Sequence, residues 1–427
     1  MMFETIREKL RALPVTAWEM TETAENRWEF YFIGHKLDQN RAVKVTGTEV
    51  KVYVESGDGK YLGSAVQTIS PTAAEKEIDE ILAKLIFEAG LVKNPVYTLT
   101  DVPVTVAPET DPADVASIAQ DCILALAKVP EDETKKINSY EIFVSEIKRR
   151  TLNSNGVEYA CTYPSTAIEV VVNARNGAHE IELTRTYHSG TCDAERLRDD
   201  VSRVMGFGTD RLAAEPTPKL GRADVLLSTE DACGVYEYFA DKMHADYVVR
   251  KISDWEIGKP VAEEMTGDLL TLRAVAKLPN SSVNMPVDRE GNVIRDRDLI
   301  RDGVAKQYCG SRQFSQYLGL AESSLVTNLE VSGGTASEEE LRAGDYLEVV
   351  EFSDFQVDSM SGDIAGEIRL GYLHRGGKTQ VVTGGSVSGS MNEAVKTMRF
   401  SKERVQYDNR LIPKVTLLKG LRITGVA

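Results

Sequence analysis

The sequence predicts an α+β fold: two smaller N-terminal sheet-plus-helix domains and a large β-rich, barrel-like C-terminal domain. Twice in the first half, runs of alternating apolar and polar residues are followed by a segment with helical apolar spacing. The stretch AAEPTPKLGRAD (Ala213 to Asp224) then combines prolines with a glycine, the pattern of a domain boundary. Beyond it the chain is mostly short strands separated by turns, which favours strongly twisted or barrel-like closure. The expected domains are residues 1–92, 93–215 and 216–427.

Residues 2–13 read as an amphipathic opening helix, followed by strands at Trp28 to His35, Arg41 to Gly47 and Thr48 to Ser56. In the last of these Val50, Val52 and Val54 face one side and Lys51, Tyr53 and Glu55 the other, so one face is expected buried and one wet. After a Gly57-Asp58-Gly59 turn and a further strand, Ser70-Pro71-Thr72 is expected to start a helix carrying Ile78, Leu82 and Leu85 on its stripe. A proline-punctuated connector leads to a second helix, with Asp111-Pro112 as its expected cap and Val115, Ile118, Ala119 and Cys122 on its apolar face. Strands return over residues 139–188, with Asn155-Gly156 and Asn176-Gly177 at hairpin turns. The Gly/Ser stretch from Gly384 to Ser390 lacks the Gly-Lys-Ser/Thr of a phosphate-binding loop and reads as a turn and close-packed strand before a short helix.

Composition excludes several function classes. A chain of 427 residues supports several cores, and none of its apolar runs approaches the roughly 18 residues a membrane helix needs. The N-terminus lacks the apolar centre of a signal peptide, so a cytoplasmic location is expected. The cysteines (Cys122, Cys161, Cys192, Cys233, Cys309) are scattered without a C-x-x-C pair and read as small core residues rather than a disulfide or zinc framework. With 66 acidic against 50 basic residues the net charge is −16, so the average surface repels phosphate backbones and no nucleic-acid partner is expected. The best basic cluster, Lys148-Arg149-Arg150, reads as a solvated strand end.

The strongest chemical constellation is DACGVYEYFADKMHAD (Asp231 to Asp246). On one helix Tyr236, Phe239, Ala240, Met243 and Tyr247 form an apolar stripe, and Glu237, Asp241 and His244 stack beside it. Such a row of donors would suit a metal-assisted hydrolase, although carboxylates and a histidine beside an apolar stripe are also the usual make-up of a solvated helix edge. The zinc-helix spacing His-Glu-x-x-His is absent.

DGVAKQYCGSRQFSQYLGL (Asp302 to Leu320), the long collinear stretch from Phe352 to Met398, and PKVTLLKGLRITG (Pro413 to Gly425) resemble the TldD/PmbA (TldE) family, long labelled modulators of DNA gyrase. The resemblance extends to Glu49 to Ala65 and Asn153 to Pro164. It implies a dimeric assembly with a substrate channel between subunits. In the TldD-type subunit of that family a helix carries His-Glu-x-x-x-His, and a cysteine late in the chain completes the metal site. Here the matching positions read Tyr236, Glu237 and Asp241, and no cysteine follows Met398. A phenol is a poor zinc ligand near neutral pH. The chain therefore resembles the TldE/PmbA-like subunit, with Tyr236, Glu237, Asp241 and His244 on a degenerate active-site helix, no catalytic residue, no metal ligand and no cofactor of its own.

The resemblance implies a TldD-like metallopeptidase partner in a heterodimer, a homodimer being open for the chain alone. Its substrates would be unfolded or extended peptides, including microcin precursors. The alternative is a self-sufficient metal-dependent peptidase using Glu237, Asp241 and His244, whose oxygen-rich donors would favour Mg, Mn or Ca. A direct DNA-binding role is disfavoured by the charge balance.

Overall fold

The computed structural model describes residues 2–101, 111–321 and 324–426. The N-terminal half begins with α1 (Met2–Ala12), which buries Phe3, Ile6 and Leu10 at helical spacing. Strands β1 (Ala17–Ile33), β2 (Lys36–Ser56) and β3 (Tyr61–Ile69) precede α2 (Glu75–Leu91) and α3 (Val115–Leu126). Strands β4 (Lys135–Asn153), β5 (Glu158–Asn176) and β6 (His179–Ser189) then precede α4 (Ala194–Leu212).

These strands form one antiparallel six-stranded sheet in the order β3-β2-β1-β4-β5-β6. The seam is the pairing of β1 with β4, continuous from Glu19 opposite Asn153 to Ile33 opposite Ser139. Each unit nevertheless keeps its own core. Trp18, Met20, Val50 and Val52 pack under Leu82 and Leu85 of α2. Tyr140, Ile142, Ile168 and Val170 pack under Cys122 of α3 and Val201 of α4.

In the N-terminal half, several local expectations differ from the structure. The strands expected at Arg41 to Gly47 and Thr48 to Ser56 run as the single strand β2, and β1 starts upstream of Trp28, at Ala17. Pairing with β4 along almost its whole length supports β1 where its own apolar content does not. The second face of β2 is wet only in part: Glu55 is exposed, but Tyr53 is buried because Tyr97 and Leu99 of the connector cover it, Tyr97 meeting its ring edge-on at 6.1 Å. α2 starts at Glu75 with Ala74 as N-cap, whereas the Ser70 hydroxyl makes a local turn to the Thr72 N–H at 3.3 Å. The α3 cap is Asp114, whose carboxylate accepts from the Ser117 N–H at 3.1 Å, next to the first apolar residue of the stripe.

The connector also joins the two halves of the chain. Thr100 donates to Asn292 at 2.8 Å, Asn153 donates to the Thr100 carbonyl at 2.7 Å, and Arg312 donates to the Thr98 carbonyl at 2.7 Å. Glu290 lies in this junction and accepts from the Arg312 N–H at 2.8 Å. Burial pushes its carboxyl up to about 7, with Asp288 and Glu19 adding like charge against the pull of Arg312 and Lys51.

In the C-terminal half, β7 (Glu215–Pro216) and β8 (Gly221–Leu227) lead into a barrel. β8 pairs with Tyr346–Val357 on one side and Thr416–Thr424 on the other. The latter pairs with Ser386–Ser390, which pairs with Asp363–Arg375. That strand returns to Tyr346–Val357 and closes five strands on themselves, so the expected barrel-like closure is present. A six-stranded sheet built from Leu272–Val275, Arg297–Arg301, Val304–Ala305, Asn328–Val331, Arg404–Tyr407 and Arg410–Pro413 lies beside it. Gly384 and Gly385 form a turn at φ 79° and 83° before Ser386–Ser390, as the sequence suggested.

Gly63 of β3 lies where an added Cβ would overlap the Ala89 and Val92 carbonyl oxygens at the end of α2. Gly63→Ala is expected to lower the denaturant midpoint by the equivalent of about 2 kcal/mol, a packing clash that only backbone movement relieves. The raised Glu290 carboxyl gives a pH signature. Its contribution to stability is complete below its ordinary value of 4.5 and is lost as pH rises through about 7. Glu290→Gln should therefore stabilise the chain at pH 8, on the order of 2 kcal/mol, and change little at pH 4, read from unfolding midpoints across that range.

Candidate functional site

β8 is buried through Val225, Leu226 and Leu227 and delivers the chain through Thr229 and Glu230 into α5 (Ala232–Lys242). α5 touches the barrel strand Tyr346–Val357 and the second-sheet strands Leu272–Val275 and Arg410–Pro413, so it lies between the two layers. Tyr236 is 1% exposed and Phe239 and Met243 are 0% exposed, as the stripe predicted. The Tyr236 hydroxyl shares a hydrogen bond with Thr416 Oγ1 at 2.7 Å, and its ring meets Phe400 edge-on at 6.3 Å. Burial raises the pKa of this phenol.

The expectation that one helix spans Asp231 to Asp246 is corrected. α5 ends at Lys242, and a second short helix, α6 (Ala245–Val249), begins after His244. The break comes from tertiary pairing: the Ala245 N–H donates to the Cys309 carbonyl at 2.7 Å, and the Cys309 N–H to the Met243 carbonyl at 3.1 Å. His244 is therefore the residue before α6, its Nδ1 3.0 Å from Asp246 Oδ1, and Tyr247 leaves the α5 stripe for α6.

Glu237 faces outward and forms an ion pair with Arg410. Asp241, one turn on, accepts from Ser359 Oγ at 2.5 Å, and burial pushes its carboxyl up. Glu237 opens onto a groove of about 440 Å³ whose walls include Arg185, Glu230, Cys233, Glu351 and Arg410. Its acids are held in check by its two arginines. Arg185 pairs with Glu351, and burial raises the carboxyls of Glu230, Asp231 and Glu351 while Arg185 pulls each back down. Burial also pushes the Cys233 thiol up, which keeps it protonated.

The sequence singled out Tyr236, Glu237, Asp241 and His244, but the structure does not bring them to one point. Tyr236 points into the core, Glu237 to Arg410, Asp241 to Ser359 and His244 to Asp246. Among the described residues no group of three or more His, Cys, Asp or Glu side chains is placed to hold a metal ion. A core phenol, a carboxylate bound to a guanidinium and a carboxylate bound to a serine do not fit zinc, which takes thiolate or imidazole donors. Arg185, Glu230, Glu351 and Arg410 escaped the sequence reading because they come from separated elements and share no short spacing. The basic cluster on β4 is engaged locally: Lys148 lies 3.1 Å from Glu146, and Arg150 contacts Glu158 and, at 3.0 Å, Glu4.

Tyr236→Phe removes the buried hydroxyl and strands Thr416. It should cost about 1 to 2 kcal/mol of stability by denaturant titration while leaving the groove unaltered.

No curated protein sequence matches the chain. Residues 220–425 match the family model described as the PmbA/TldA metallopeptidase C-terminal domain. Among solved structures, a candidate modulator of a DNA gyrase from Thermotoga maritima is similar over 99% of this chain and 100% of its own, with a TM-score of 0.78 at 16% identity. TldE from Thermococcus kodakarensis has a TM-score of 0.78 at 15% identity over 99% of this chain and 100% of its own. A candidate modulator of DNA gyrase from Bacteroides thetaiotaomicron reaches 0.80 at 16% identity over 99% and 98%. Among the described residues no helix is long and apolar enough to cross a membrane. The C-terminal part of this chain, residues 220–425, is thus similar to the PmbA/TldA metallopeptidase C-terminal domain, and its whole length has the fold of TldE and its relatives.

Proposed function

We propose that the chain is a non-catalytic, TldE/PmbA-like subunit of a TldD/TldE-type metallopeptidase complex that processes unfolded or extended peptides. One observation carries this reading: the candidate side chains on α5 diverge, Tyr236 to Thr416, Glu237 to Arg410 and Asp241 to Ser359, so they offer no common point for a metal ion. The groove beside Glu237 supports a peptide-handling role. Two of its carboxylates are paired, Glu237 with Arg410 and Glu351 with Arg185, and its polar walls could meet the donors and acceptors of an extended main chain. The metal and the hydrolytic step would come from a TldD-type partner bearing His-Glu-x-x-x-His. Glu237 and Asp241 would shape the groove.

Cysteines without disulfides support a reducing cytoplasmic setting. A net charge of −16 supports a function without direct DNA contact. Co-purification from the source organism tests the assignment: a stoichiometric TldD-type chain should accompany this one, and Glu237→Gln should not abolish the peptidase activity of the pair. Stoichiometric metal on the isolated chain, together with peptidase activity lost in Glu237→Gln, would overturn it.

A further inference from the structure

A second space opens where the middle unit meets the C-terminal half. It is a cavity of about 220 Å³ between β6, α4 and the segment around Tyr407. It adjoins the groove beside Glu237, Arg185, Thr229 and Glu230 lining both. Its floor is apolar: Ile168, Leu197 and Val204 are 3%, 5% and 4% exposed, and the Tyr187, Phe207 and Tyr407 rings complete the wall. The volume exceeds the roughly 150 Å³ of an apolar cavity that admits benzene.

The charges at its mouth are largely committed to one another. Arg203 and Arg196 reach Asp200 at 2.8 and 3.5 Å, and Arg185 pairs with Glu351. Asp408 accepts from the Ser282 N–H and hydroxyl at 2.8 and 2.7 Å. Among the described residues the buried Tyr187 hydroxyl has no hydrogen-bond partner. The hydroxyl is closed off from the free space of the cavity, so the Tyr187 ring is what an occupant meets.

We propose that this cavity is a side-chain pocket taking an aromatic or large aliphatic residue of a peptide that lies extended in the adjoining groove, a reading that rests on the peptide-handling role above. The pocket selects bulk and apolarity rather than charge, because its floor is hydrocarbon and its arginines already face carboxylates.

Cys192 lines the cavity and is half-buried, whereas Cys122, Cys161, Cys233 and Cys309 are buried, so its alkylation reports occupancy. A hydrogen bond with Cys122 lowers its pKa and favours reaction. With the whole chain and iodoacetamide, read by peptide mass mapping, millimolar N-acetyl-L-phenylalaninamide should slow Cys192 alkylation about fivefold, as for a ligand at several times its Kd. N-acetylglycinamide should not. Thr186→Trp, an exposed substitution on the rim, should remove the difference between the two amides without disturbing the core. Equal rates with both amides, or protection that persists in Thr186→Trp, would overturn the pocket. The result is separable from the subunit assignment. A chain that binds its partner but shows no protection loses the pocket alone, and one that shows protection but has no partner loses the assignment alone.

Discussion

Burial of one side of α5 is the constraint on which the site depends. Phe239 lies among the Tyr238 and Trp255 rings at 5.3 and 5.8 Å, and Tyr236 reaches from the helix to the barrel strand through Thr416. Fully burying each such side chain is worth about 1.5 to 3 kcal/mol, so the rotation of the helix about its axis is not free to change. With that rotation set, position 236 belongs to the core and position 237 to the groove. Ligand chemistry at this helix is decided by packing before it is decided by residue type.

The outward side of α5 is governed by electrostatics in a partly dry space. Glu230, Asp231 and Glu351 are acids whose burial opposes ionisation, and Arg185 offsets part of that cost for all of them. Arg410 does the same for Glu230 while holding Glu237. A metal ion would have to displace these guanidinium contacts. A peptide main chain, which carries no net charge, would not.

The position of the groove depends in turn on how the halves of the chain are joined. The seam between β1 and β4 makes one sheet of two units, and the connector from Pro95 to Thr100 is clasped between that sheet and the C-terminal half. β6 and α4 are thereby carried against Tyr407 and Glu230, where the cavity and the groove meet.

The α+β class, the barrel-like C-terminal half, the apolar stripe of Tyr236, Phe239 and Met243 and the covering helices over Val50 and Ile142 were legible in the sequence, because each rests on local periodicity. So was the family resemblance, carried by long collinear stretches. Only the tertiary structure decided where the helix breaks at Met243, why Tyr53 is buried, and that Arg185, Glu351 and Arg410 converge on α5. Those outcomes depend on backbone groups of Cys309, side chains of the connector and strands more than 50 residues away, and periodicity within a segment carries no record of such partners.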